Sequence, residues 1–399
     1  MEWVLACNWD EALLAPAKEF GVTELFGKLP QDPVGGGRAT FISPSPGRRK
    51  AERFIHKTLQ AGIEFNYLLN GTCLSNREMT RGGQKALNSI IDWAADQGVT
   101  WFTVSIPYLA AKIRKRLPNA HIAVSMMAGV DSVEKAVQWE NAGASVVILF
   151  ENKDFALIRS IKKQTRLKVE VSANLSCLNR CNQSFYHGNV SSHSSNGSGL
   201  FSLPLCEAQC GQSKVAEPRR IVAGQWMRPQ DVPLFEAEGV DRLKILDRTS
   251  PTPQLLRNLA AYATGEYEGN LADLIPGYRQ ERLDGYFSPK RALKTAAAFF
   301  KPQHFDVTKA LAYRKRSAPP HFHIDGKALD GYLEGFLKKD CRTTSCLRCG
   351  WCDAYAQKAI RFPDGERERF LKDNGQNLRD LQTGDFFFYG PVDSMPEDD

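Results

Sequence analysis

The sequence predicts an α/β fold: a (β/α)8 barrel of the TIM type, with a Cys-rich insertion after strand 7 and a helical, Cys-rich C-terminal extension. Three observations predict it. Eight apolar, β-branched runs recur over the first 250 residues. Stretches of helical length and amphipathic pattern alternate with them. Most of the runs are continuous rather than alternating, as strands buried on both faces of a parallel sheet require.

The elements follow in order. EWVLACN (2–8) is the first strand and DEALLAPAKEF (10–20) its helix. VTELFGK (22–28) leads past a triple glycine, 35–37, to RKAERFIHKTLQA (49–61). IEFNYLLN (63–70) precedes GQKALNSIIDWAADQ (83–97). WFTVSI (101–106) and IAVSMMAG (122–129) are strands four and five, with VEKAVQWENA (133–142) after the fifth. SVVILF (145–150) precedes DFALIRSIKKQ (154–164). KVEVSAN (168–174) is the seventh strand, and its returning helix, PQDVPLFEAEG (229–239), waits until after an insertion at 175–227. RLKILD (242–247) and TPQLLRNLAAYA (252–263) complete a barrel over 1–265. A doubly wound open sheet is the competing arrangement, and the even strand spacing favours the barrel.

Residues 266–399 form the extension. AYRKRSAPP (312–320) reads as a basic, solvated linker. LDGYLEGFLKK (329–339) and DAYAQKAIRF (353–362) read as helices on either side of a cysteine cluster at 341–352, and the acidic end VDSMPEDD as a frayed tail.

The chain has 399 residues, 42% of them hydrophobic and 24% charged, which suits a soluble protein with one large core plus an appendage. No apolar run is long enough to span a bilayer, so no membrane insertion is expected. No basic-then-apolar leader opens the chain, and a cytoplasmic location follows as the expectation. The net charge of +7 permits, without demanding, an acidic small molecule or RNA as partner. No metalloprotease helix, nucleophile elbow or Walker loop is present. Nor is there a Cys-x3-Cys-x2-Cys run, which argues against radical-SAM chemistry.

Ten cysteines in a reducing compartment point to ligands rather than bridges. Within the insertion, Cys177 and Cys181 are followed by Cys206 and Cys210 in the pattern Cys-x3-Cys…Cys-x3-Cys. Four thiolates can hold a [4Fe–4S] cluster, and the insertion leaves the face of a barrel where active sites are built. The second set, Cys341-x4-Cys346-x2-Cys349-x2-Cys352, resembles the tight runs that wrap cubane clusters, although the trailing proline of ferredoxins is missing. Two [4Fe–4S] clusters are therefore expected, with zinc as the alternative at each set. Cys7 and Cys73 sit near strand ends and read as small buried hydrophobes, or as a substitute ligand or redox thiol.

Strand ends also present Asn70, Ser105, Ser125, Asn174 and the pair Asp247–Arg248, with Glu78 in the loop after strand 3. Arg77 and Arg248 are candidates for gripping a carboxylate or phosphate, because a guanidinium can do so bidentately. His187 and His193, within FYHGNVSSHSS, are candidates for moving protons. The glycines at 35–37 allow close backbone approach to a ligand, or a plain turn.

Five stretches carry a family resemblance: GVTELFGKLPQDPVGGGRATF, IEFNYLLNGTCLSNRE, VTWFTVSIPYLAAKIRKRLPNAHIAVSM, CLNRCNQSFYHGN…SHSS and QWMRPQDVPLFEAEGVDRLKILDRTSPT. In this order, over roughly 2–270, the chain resembles peptidase family U-32, the collagenase-like proteins. The resemblance implies a [4Fe–4S] cluster held by Cys177, Cys181, Cys206 and Cys210. It also implies kinship with oxygen-independent hydroxylases of ubiquinone precursors, tRNA and rRNA, with prephenate as oxygen donor. The peptidase name has little mechanistic support. The cysteine spacing and the second set depart from the hydroxylating members, so the substrate does not carry over.

The expected function is an iron–sulfur redox enzyme, acting on a small molecule or RNA and served by an electron-donor or partner protein. A U-32 peptidase is the first alternative. A non-enzymatic electron carrier or maturation partner is the second.

Overall fold

Why a chain with eight buried strands closes rather than spreads is visible in the pairing. The computed structural model describes residues 1–38, 46–196, 205–279 and 306–384. Strands β1 (Glu2–Ala6), β2 (Val22–Gly27), β3 (Glu64–Leu69), β4 (Trp101–Val104), β5 (His121–Val124), β6 (Val146–Leu149), β7 (Lys168–Ser172) and β8 (Arg242–Ile245) form one closed barrel in sequential order. Every pair is parallel, and Leu5 opposite Ile245 closes the ring. Closure leaves this sheet no open edge.

The barrel helices are held by their apolar faces and by side-chain caps. Helix α1 (Leu14–Glu19) is short, and α2 (Arg48–Gln60) buries Ala51, Phe54, Ile55 and Thr58, one helical stripe. Helix α3 (Arg81–Asp96) starts where the Thr80 hydroxyl accepts from the Gly83 amide at 3.0 Å. Helix α4 (Pro107–Arg116) opens on a proline in its first turn. Helices α5 (Val133–Asn141) and α6 (Phe155–Gln164) are capped by Ser132 and Asp154.

The insertion, expected as a loop, is largely helical: α7 (Ser184–Ser195), α8 (Leu205–Ala216) and α9 (Arg219–Val222) precede α10 (Val232–Ala237) and, after β8, α11 (Thr252–Thr264). Further on come α12 (Val307–Arg316), β9 (His323–Ile324), α13 (Glu334–Lys338), α14 (Cys346–Cys349), α15 (Trp351–Ala359), β10 (Ile360–Arg361) and α16 (Glu366–Gln382).

Several boundaries differ from expectation for local reasons. The fifth strand stops at Val124, because Met126–Ala128 form a 3-10 turn ended by left-handed Gly129. The basic stretch read as linker at 312–320 begins inside α12. The helix expected over 329–339 shrinks to Glu334–Lys338, with Gly331 at φ 75° breaking what precedes it. The helix expected over 353–362 starts at Trp351 and ends at Ala359, and its last residues instead pair antiparallel with His323–Ile324. The acidic tail lies outside the described residues.

The chain divides into two compact units. The first comprises Met1–Ser202, Gly224–Gly269 and Asp330–Gly350, and contains the barrel. The second comprises Leu203–Ala223, Asn270–Leu329 and Trp351–Asp399. In the second, α8 rests on α16: the Asn374 amide donates to the Ala208 carbonyl at 2.8 Å and to Gln212 Oε1 at 2.9 Å.

The barrel interior is charged as well as apolar. Arg242 reaches Glu24 at 2.6 Å and Glu170 at 3.4 Å, and Lys244 reaches Glu170 at 2.8 Å. The Asn66 amide donates to Glu24 at 3.0 Å, and Thr103 donates to Asn66 at 2.8 Å. All six side chains are buried. At this depth opposite charges are tolerated only together.

Candidate active site at the barrel mouth

The C-terminal ends of β1, β2, β3 and β8 bring a polar cluster over the barrel, the face on which barrel enzymes build their sites. Lys28, just past β2, is buried and donates to Asp32 at 3.1 Å and to the Gly35 carbonyl at 2.5 Å. Asp32 is the hub: it accepts from the Val34 amide at 3.0 Å, the Gly35 amide at 2.9 Å and the Tyr67 hydroxyl at 3.1 Å. Burial lowers the Lys28 pKa against the pull of Asp32, and the positive charge of Arg248 lowers it further.

Arg248 lies two residues beyond Leu246 and is 8% exposed. Among the described residues no hydrogen bond or ion pair reaches its guanidinium. Asp247, the carboxylate beside it, is engaged by Arg38 at 2.5 Å and by the Thr249 hydroxyl at 2.5 Å. Burial brings the Arg248 pKa down to about 10, with the Arg38 charge adding to the effect and Asp247 opposing it. Cys7, at the end of β1, feels the same guanidinium, but burial drives its thiol well above the ordinary range. Cys7 is a fully buried small side chain. Cys73 is half-buried and accepts from the Ser75 amide at 3.4 Å.

Other predicted residues serve the insertion. Arg77 donates to the Asn196 carbonyl just beyond α7, which occupies a guanidinium expected to grip ligand. His187 and His193 both lie on α7 and are half-buried. The serines of SSHSS dock that helix: the Thr72 amide donates to Ser192 Oγ at 2.9 Å and the Gly36 amide to Ser195 Oγ at 3.0 Å. The triple glycine acts here. A Cβ on Gly35, whose φ is 73°, would lie 2.3 Å from the Ser192 carbonyl oxygen. Close helix approach therefore requires glycine at 35. Of the remaining strand-end residues, Ser105 donates to the Asn70 carbonyl at 3.0 Å, Ser125 caps a 3-10 turn, and the Asn174 amide donates to the Leu246 carbonyl at 2.8 Å.

None of the ten cysteines is joined in a disulfide. In the first unit, Cys341 is half-buried beside Cys346 and Cys349. Burial raises its pKa, Arg180 opposes that, and both neighbouring thiols add to the rise. Cys341 lines a cavity of about 180 Å³ with Glu151, Lys153, Asp154, Arg180 and Phe336. Arg180 reaches Asp154 at 2.8 Å, and its amide, at a left-handed φ of 49°, donates to Glu151 at 2.8 Å. Cys177 and Cys181 flank this stretch, and the Cys177 carbonyl accepts from Gln225 at 3.0 Å. In the second unit, Cys206 and Cys210 lie one turn apart on α8, and Cys352 lies in α15.

Among the described residues, no three Cys, His, Asp or Glu side chains already stand in metal-ligating geometry. The donor chemistry around Cys341 nevertheless fits a thiophilic metal. Cys341, Cys346 and Cys349 lie close together in the chain, and thiolates are soft donors that suit such a metal.

Sequence reasoning missed Lys28, Arg38, Asp32 and Tyr67 at the mouth. The spacing Lys28-x3-Asp32 directly after a strand was the available signal. No helix among the described residues is long and apolar enough to cross a membrane.

The profile of peptidase family U32 matches residues 42–264. A curated relative from Methanocaldococcus jannaschii, described as an uncharacterized protease, is 24% identical over 331 residues, 82% of this chain and 86% of its own. A solved U32 peptidase structure aligns with TM-score 0.48 and 20% identity over 63% of this chain and 93% of that one. Ligand-free tryptophan synthase from M. tuberculosis aligns with TM-score 0.38 and 13% identity over 66% and 91%.

Proposed function

The chain belongs to peptidase family U32, and from that premise we propose that it is an iron–sulfur redox enzyme of the oxygen-independent hydroxylating kind. Its substrate is a small molecule or RNA, and an electron-donor protein serves it. What supports this reading is the close spacing of Cys341, Cys346 and Cys349 along one short segment, with Cys341 and Cys349 half-buried and Cys346 exposed. Cys341, Cys346, Cys349 and Cys352 would hold one [4Fe–4S] cluster. By sequence spacing, Cys177, Cys181, Cys206 and Cys210 would hold the other. Such clusters, when bound, supply one-electron chemistry. The chain's own residues shape the mouth: Asp32 fixes Lys28 and Tyr67, and α7 roofs the loops after β2 and β3.

The family name supports a second reading, a peptidase. The sequence carries no metalloprotease helix and no nucleophile elbow to support it. The first reading is therefore preferred.

The deciding assay is iron, zinc and acid-labile sulfide per chain after anaerobic purification. About eight irons and eight sulfides are expected, falling by about half in Cys349→Ala. Zinc without sulfide in the wild type would overturn the proposal, as would full iron in that variant.

A further inference from the structure

We propose that the barrel mouth is a binding site for a small oxyanion, a carboxylate or phosphate group, and that the Arg248 guanidinium is its principal anchor. The argument begins with charge. Lys28 has Asp32 at 3.0 Å, and Arg38 has Asp247 at 2.5 Å. Arg248 is more than nine-tenths buried, yet has no such partner among the described residues. A buried cation is costly unless it is paired, and a planar guanidinium is best paired by a group with two oxygens in one plane. Lys28 and Arg38 each have a carboxylate, which leaves the buried Arg248 guanidinium for an anionic group to balance.

A second feature points to the same ligand. Asn70 Oδ1 is buried and accepts no hydrogen bond. It faces Gly36, where a Cβ would lie 2.7 Å from Asn70 Oδ1 and 3.3 Å from Lys28 Nζ. Asn70 directly follows β3 and Arg248 follows β8, and in a closed barrel of parallel strands both therefore lie at the same end. An anion that also carries a hydroxyl group would satisfy both. Arg77 spends one of its donors on the Asn196 carbonyl, whereas no hydrogen bond or ion pair among the described residues reaches Arg248.

This inference deepens the proposed function by naming a substrate class, but its test does not depend on iron. The full-length protein is titrated by calorimetry and by thermal melting with inorganic phosphate, acetate and lactate, at ionic strength matched with sodium chloride. At least one of these oxyanions should raise the wild-type Tm, and lactate should bind more tightly than acetate. A response to phosphate alone assigns a phosphate group, and a response to the carboxylates alone assigns a carboxylate. In Arg248→Met the affinity should fall by about tenfold to a hundredfold, and the anion-free Tm should rise, since a buried unpaired charge is gone. Arg248→Lys keeps the charge, loses the fork, and should weaken binding by about tenfold. No oxyanion response in the wild type, or an undiminished response in both variants, would overturn the inference. Iron without an anion response would remove this site and leave the redox reading standing. An anion response without iron would do the reverse.

Discussion

Arg242 and Arg248 lie six residues apart and are 2% and 8% exposed, yet the barrel treats them oppositely. Arg242, inside β8, is held by Glu24 at 2.6 Å, with Glu170 and Glu2 at 3.4 Å and the Trp101 ring 5.1 Å from its guanidinium carbon. Arg248, just past the strand, has a nearby carboxylate in Asp247, but that group is turned to Arg38 and Thr249. Burial lowers both guanidinium pKa values. At Arg242 the carboxylates Glu170 and Glu24 outweigh it and the net shift is upward, whereas at Arg248 the net shift is downward. A buried arginine surrounded by acids belongs to the scaffold. One left without them at the mouth of a barrel is available to a ligand.

The largest expected effect breaks the scaffold half of that contrast. Arg242→Met strands Glu24 and weakens the hold on Glu170, and should cost about 3–5 kcal/mol in urea unfolding. Arg248→Met in the absence of anion should move stability in the opposite direction. Equal losses in the two variants would erase the distinction.

Smaller effects sharpen the mouth. Gly35→Ala forces a left-handed alanine against the Ser192 carbonyl and should cost about 2–3 kcal/mol, with faster amide exchange across Ser184–Ser195. Arg77→Ala removes only the tether to Asn196. It should cost about 1 kcal/mol and leave anion affinity within about twofold, read by the same calorimetry.

The smallest effect lies in the second unit. Arg369, at 2.7 Å, and the His321 amide, at 2.8 Å, hold the Glu366 carboxyl down to about 2. Its folded pKa is below its unfolded one, so its contribution is present above about pH 4.5 and fades as pH falls toward 2. Solvent screening keeps that contribution below about 1 kcal/mol. Glu366→Gln should flatten the acid limb of the stability curve by no more than this.

The barrel was legible because its strands are continuous apolar runs, a pattern set within six or seven residues. The ion network was not. Glu24 and Arg242 interrupt such runs in plain view, but they are 218 residues apart in the chain, and only closure of the ring makes them partners. Arg248 was legible as a candidate from its place after the eighth strand. That Arg77 also tethers the Asn196 carbonyl was not, since that group lies 119 residues away. Helical docking of the insertion by Ser192 and Ser195 was missed because a serine-rich run has weak helix propensity and reads as loop. The extension was read least well. Its helices are short, and glycines such as Gly331 break patterns that a side-chain period alone would continue.

The second unit is sewn from three stretches of chain. Helix α8 packs most extensively on α16, which starts some 150 residues after α8 ends. At about 5–20 residues per second, a nascent chain carries α8 for about 8–30 s before that partner is made. Cys206 and Cys210 ride on α8 throughout that interval, made long before the contact that closes the unit around them.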